Sequence, residues 1–141
     1  MTSDLIKNIV IDTIKTRNRD RRALAFFKKA YSHKAFYDEI ASIRINLGRR
    51  VGHTTAAKAL IKHYCSQAKH VVLVVPYKTM LDQYKDVNSK YLTKIVCGKQ
   101  PTKLLRGVRD DIVIIDSATY SKKTRDYIAT TTNAEWIIEL G

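Results

Sequence analysis

The stretch that most constrains this chain is Val71-Val72-Leu73-Val74-Val75, five large apolar residues in a row, ended by Pro76. A strand with one face in water alternates apolar and polar residues. An unbroken apolar run needs cover on both faces, which a parallel sheet between two helical layers provides. Ile112-Val113-Ile114-Ile115-Asp116 repeats the pattern, with its one carboxylate at the C-terminal end. Around these runs, spacing predicts a strand over residues 43–47, less apolar because of Arg44 and Asn46, and a helix over 54–67. It predicts a second helix over 79–87, with Met80, Leu81, Tyr84 and Val87 on one side, and a strand over 92–97 closed by Gly98. Residues 100–107 read as a loop with a helical turn at 103–106. A helix over 121–130 should stop early at Thr130-Thr131-Thr132, and Trp136–Leu140 should be the last strand. Such alternation predicts an α/β fold, a three-layer sandwich with a mainly parallel sheet.

The first 42 residues carry a different pattern and read as a helical segment packed on a core formed by residues 43–141. Leu5, Ile6, Ile9, Val10 and Ile14 recur at helical spacing over residues 4–16, with Ser3 as the cap. A second helix from Asp20 through Tyr31 should bury Leu24, Phe26 or Phe27, and Ala30. Ser32 can cap a third, short helix containing Ala35, Phe36, Tyr37 and Ile40.

Charge narrows the partners. The 141 residues hold 26 Lys and Arg against 13 Asp and Glu, a formal net charge of +13. That excess favours a polyanion, nucleic acid before membrane; of the nucleic acids, DNA is expected before RNA, which charge by itself does not decide. Arg19, Arg21 and Arg22 lie in the break between the first two helices, and Lys122, Lys123 and Arg125 follow the Ile112 strand. These are the expected phosphate contacts, against the alternative of an ordinary solvated basic face. Tyr77, Tyr84, Tyr91, Tyr120 and Tyr127, interleaved with lysines, suit base stacking or core-edge packing. Cys65 and Cys97 follow no metal or disulfide spacing, and His53, His63 and His70 form no metal signature. Free thiols, no apolar run near the roughly 18 residues of a membrane span and no leader-like N-terminus lead us to expect a cytoplasmic protein.

The chemistry is concentrated in Gly48-Arg49-Arg50-Val51-Gly52-His53-Thr54-Thr55, a glycine-bearing turn between a strand and a helix. Backbone N–H groups in such a turn wrap an anion, and the following helix points its positive end at it. Three residues rather than four separate the glycines, so the spacing is not that of the standard phosphate loop. It resembles the deviant loop in the ATPase domains of viral DNA-packaging terminases, which opens on a small residue and an arginine and closes on a Gly-Lys-Thr-Thr-like sequence. Val71 to Pro76 with Lys78 to Tyr84 is similar to the strand and helix that follow the loop in terminases and superfamily 2 helicases. Arg106-Gly107-Val108-Arg109 leading into Ile112 resembles the approach to their Walker B strand. Trp136-Ile137-Ile138-Glu139-Leu140-Gly141 sits where they place the coupling-motif strand.

The resemblance, over residues 43–141, implies a phage-type ATPase core that binds ATP at Gly48 to Thr55. It further implies Mg²⁺ held by the Thr54 hydroxyl and, through water, by Asp116, with Arg49 near the phosphates. Two positions depart from the pattern. His53 replaces the lysine that reaches the phosphates, which Arg49 or Arg50 could offset. Ser117 replaces the glutamate that activates water, and the chain has only three glutamates, Glu39, Glu135 and Glu139. Losing a general base costs about 10²- to 10⁴-fold in rate. The expectation is nucleotide binding with slow or absent hydrolysis unless a protein partner supplies the missing group. The rival is a non-catalytic module whose basic surface binds nucleic acid or an acidic protein. A kinase-like phosphotransferase ranks last, for want of a lid with paired arginines.

Overall fold

The computed structural model describes residues 2–46, 52–96, 110–116 and 122–141. Five strands form one parallel sheet: β1 (Ser42–Ile45), β2 (Val71–Val75), β3 (Leu92–Val96), β4 (Ile112–Asp116) and β5 (Trp136–Leu140). Their order is β1-β5-β4-β2-β3, and every neighbouring pair is parallel. The inner strands β5, β4 and β2 are the three most apolar runs, and every residue in them is buried. The outer places go to strands with polar residues: β1 carries Arg44, and β3 carries Thr93 and Lys94. The mixed character that Arg44 gives β1 therefore goes with an edge place, where half of the strand's surface can stay wet.

Helices α1 (Thr2–Asn18), α2 (Arg21–Ala30) and α3 (His33–Glu39) precede the sheet, and α4 (His53–Ser66), α5 (Lys78–Leu81) and α6 (Lys122–Thr131) connect its strands. Which face each helix covers follows from register. Asp116 pairs with Leu140 and Ile115 with Glu139, so Asp116 and Glu139 point to opposite faces. Asp116 meets Thr54 of α4, whereas Glu139 meets Arg125 of α6. Helix α1 packs along α4, and α3 packs on α6. The sheet thus lies between α1 and α4 on one side and α3 and α6 on the other. The chain is a three-layer α/β sandwich.

Ile6, Val10, Ile11 and Ile14 of α1 are buried in the same apolar cluster as the strands. Both ends of α1 are held. Gly52 lies against Ser3, and the Arg17 guanidinium donates to the Ile40 and Ser42 carbonyls at the start of β1. Seventeen residues at 1.5 Å per residue span about 25 Å, so α1 runs the full height of the sheet.

Several local expectations are corrected. Ser3 lies within α1 rather than capping it. Leu5 and Ile9 are exposed, because residues 6, 10 and 14 already define the buried stripe and 5 and 9 fall on its flank. In α2 it is Phe27 that packs on the core, while Phe26 and Ala30 are exposed. The helix expected over 79–87 breaks into α5 and a 3-10 turn, Asp82–Tyr84. Helix α6 runs on through Thr131, with the Thr130 hydroxyl turned back to donate to the Asp126 carbonyl instead of ending the helix. Ser32 caps α3 as expected, accepting the Ala35 N–H, while Asp20 stands before α2 as its cap, accepting the Ala23 N–H, and not as its first residue. The strand end at Cys97 and Gly98 and the loop at 100–107 lie outside the described residues.

Candidate functional site

Parallel strands bring their C-terminal ends to one edge, and Asp116, the last residue of β4, lies there, only 2% exposed. Strand β4 exits toward α6 on one face. Its neighbour β2 exits toward α5 and the 3-10 turn on the other. Asp116 thus stands at a topological switch point, where open α/β sheets form their ligand crevice. Two hydroxyls converge on the same carboxylate oxygen. Thr54 Oγ1 donates to Asp116 Oδ2 at 3.0 Å, and the Tyr84 hydroxyl donates to it at 2.5 Å. Thr54 belongs to the first turn of α4, so one helix N-terminus and one strand C-terminus meet across 62 residues of sequence.

Tyr84 is fully buried, and its hydroxyl titrates far above its ordinary range. Burial is the larger cause, followed by the Asp116 charge, which opposes a second anion beside it. The phenol therefore stays a donor and locks the carboxylate in place. Lys58 of α4 lies over the Tyr84 ring at 5.9 Å and pairs with Asp86 at 3.1 Å, tying α4 to the segment after the 3-10 turn. Tyr84, one of the tyrosines singled out from sequence, reaches Asp116 as a buried hydrogen-bond donor and not as a stacking surface. Its helical spacing marked it as inward-facing; nothing local marked its partner.

Gly52 is the N-cap residue of α4 and has φ +87, the left-handed region that glycine tolerates. A Cβ there would come within 3.2 Å of the Ser3 Cβ. Having no side chain, Gly52 offers no acceptor to the first N–H groups of α4, unlike Asp20 and Ser32 at α2 and α3. His53 is the first residue of α4, and Thr55 stands in the same turn as Thr54. Gly48, Arg49, Arg50 and Val51, and with them most of the expected phosphate loop, lie outside the described residues. So do Ser117, Tyr120 and the 106–109 approach, and the side chains of Arg21 and Lys122.

The expected nucleic-acid contacts separate into three places. Lys123 is exposed at the start of α6, near the edge that carries Asp116. Arg19 and Arg22 are exposed at the junction of α1 and α2, toward the opposite, N-terminal edge of the sheet. Arg125 is a correction. It is 6% exposed, and its guanidinium donates to Glu139 at 3.0 Å and to Asp38 at 2.5 Å. Glu139 also accepts from Arg44 of β1 at 2.7 Å. The result is an internal ion cluster joining α3, α6, β1 and β5, with Arg125 held by the carboxylates of Glu139, Asp38 and Asp126 instead of facing outward to phosphate. Burial opposes the charge on Asp38, but hydrogen bonds from Lys34 and Arg125 outweigh it and hold its carboxyl below the usual range.

No family model, curated protein or solved structure matches this chain. Among the described residues, no group of three or more His, Cys, Asp or Glu is placed to hold a metal ion, and no helix is long and apolar enough to cross a membrane.

Proposed function

We propose that the chain is a phosphate-loop nucleotide-binding protein that acts on nucleic acid, of the kind its residues 43–141 resemble in viral terminases and superfamily 2 helicases. The observation that carries this is the Thr54–Asp116 hydrogen bond, 3.0 Å long, at the C-terminal edge of a parallel sheet. A threonine on the first turn after a glycine and an aspartate at the end of an inner apolar strand are the pair that such a site needs for Mg²⁺. One hydroxyl and one carboxylate fit Mg²⁺ better than a metal that demands a full protein cage, because Mg²⁺ keeps waters and takes its remaining ligands from phosphate. When bound, the ion would neutralise phosphate charge. The chain's own part is to cradle ATP with the N–H groups of residues 50–54, to hold Thr54 and Asp116 in register, and to offer Arg49 and Arg50 to the phosphates.

His53 bears on how tightly the phosphates are held, and Ser117 bears on turnover. With no lysine at residue 53 and no glutamate after Asp116, the chain binds nucleotide and hydrolyses it slowly, or only with a partner that donates the missing group. The second reading, a module with no nucleotide chemistry, is favoured by those same two residues.

Titrating ATP with and without Mg²⁺ against the wild type, Thr54→Ala and Asp116→Ala separates the two. Affinity in the wild type that Mg²⁺ strengthens and both variants lose is the expected result. No affinity at millimolar ATP would remove the nucleotide reading altogether.

A further inference from the structure

The largest concentration of charge in the chain lies away from the Thr54–Asp116 edge. Between residues 15 and 31, seven Lys and Arg stand against one acid, Asp20, and that acid is occupied in capping α2. The same stretch exposes aromatic surface that a solvated basic helix has no use for. Phe26 is 66% exposed and Tyr31 41% exposed. Phe26 meets Phe27 edge-on at 5.7 Å, and Phe27 stacks on Tyr31 at 5.8 Å, so three rings form one run whose middle member is anchored in the core. Arg22, Phe26 and Lys29 recur at positions four and then three apart. They therefore share one outward stripe of α2, about 10 Å long, reading cation, ring, cation.

Beside this stripe is a cleft of about 220 Å³, bordered by Lys28 and Leu24 of α2, Asn18, Asn133, Tyr37 and Trp136. That is below the roughly 300 Å³ at which drug-sized ligand sites begin. Asn18 and Asn133 bring amide groups to its lining.

We infer that the α1–α2 corner is a binding surface for single-stranded nucleic acid, with Arg22, Lys28 and Lys29 on phosphates and Phe26 stacking on a base. Charge alone would serve a duplex equally well. Exposed rings set between cations favour unpaired bases, because only an unpaired base offers its face. The inference rests on the proposal that the basic surface has a nucleic-acid partner, but it is independent of nucleotide binding at Thr54. It also puts the strand at the opposite edge of the sheet from Asp116, about the length of α1 away.

The test is fluorescence anisotropy of the full chain with a labelled oligo-dT, the matching oligo-U and a DNA duplex, each over a range of salt. Single strands should bind more tightly than the duplex, with affinity falling steeply as salt rises. Phe26→Ala should weaken single-strand binding about five- to a hundredfold and leave the salt slope unchanged. The triple substitution Arg22→Ala, Lys28→Ala, Lys29→Ala should lower the log–log salt slope by about 2. All these positions are exposed, and circular dichroism of each variant checks that the fold is kept. Binding that ignores both variants but falls with Lys123→Ala would overturn the inference and leave the nucleic-acid partner standing. No binding to any oligonucleotide would remove the partner as well. Binding instead to phosphatidylserine vesicles, lost in Phe26→Ala, would overturn it in favour of a membrane surface.

Discussion

Asp116 Oδ2 accepts from Thr54 and Tyr84 together, and the two donors have different uses. Thr54 lies on the first turn of α4 and ties that helix end to the carboxylate. Tyr84 is buried and holds Asp116 from below. Removing that donor leaves a buried carboxylate one hydrogen bond short, which for a charged acceptor costs about 1.5–3 kcal/mol. Tyr84→Phe should therefore lower the unfolding free energy by that amount, read as a lower urea midpoint at unchanged slope, a loss of stability without loss of compactness. An unchanged midpoint would mean that Asp116 is satisfied some other way. Of these three residues, Asp116 was legible as the one carboxylate of the Ile112 strand, at its C-terminal end, and Thr54 through its place after Gly52. Tyr84 was one of five similar tyrosines. Its role depends on the break of the expected helix into a 3-10 turn, which the 79–87 periodicity does not reveal.

The junction of Gly52 with α4 shows how an element's end is tuned. At φ +87 an alanine is strained by about 1–2 kcal/mol, and its methyl would also press on Ser3 of α1. Gly52→Ala should destabilise by at least that amount and weaken ATP binding, since α1 and the start of α4 would have to separate. Gly52→Asn, which tolerates the left-handed region better, should recover part of the backbone cost. Thermal unfolding of the two variants measures the difference, and equal midpoints would show that crowding against Ser3 outweighs the backbone term. The glycine and the helix it starts were readable locally. That α1 lies against the glycine was not, because Ser3 read as a helix cap rather than as a contact 49 positions before Gly52.

Across the molecule, the face opposite Asp116 is organised by charge. Arg125 and Glu139 are both buried, and each has a further partner, Asp38 for the arginine and Arg44 for the glutamate. Breaking such a cluster from one side leaves a buried charge unpaired, which costs about 3–5 kcal/mol. Arg125→Ala should show a loss of that size. The double substitution Arg125→Leu with Glu139→Leu should restore most of it, because an apolar pair carries no desolvation penalty. Denaturant titrations of the single and double variants decide the matter, and additive losses would show that the two residues do not act as a pair. In sequence, Arg125 was one more cation in a basic stretch. Its inward turn follows from Glu139 facing α6, a matter of strand register.

Local pattern alone was enough for the layered architecture, for the two strands β2 and β4 covered on both faces and for the place of Asp116 at the C-terminal edge. An unbroken apolar run demands cover on both faces whatever its neighbours are, and parallel strands then bring their carboxyl ends together. Only the tertiary structure could decide the order β1-β5-β4-β2-β3, the convergence of Thr54 and Tyr84 on Asp116, the burial of Arg125 and the exposure of Phe26. Each of these depends on which distant segment packs against which, and the free energy of such a contact belongs to the pair and is written in neither segment by itself.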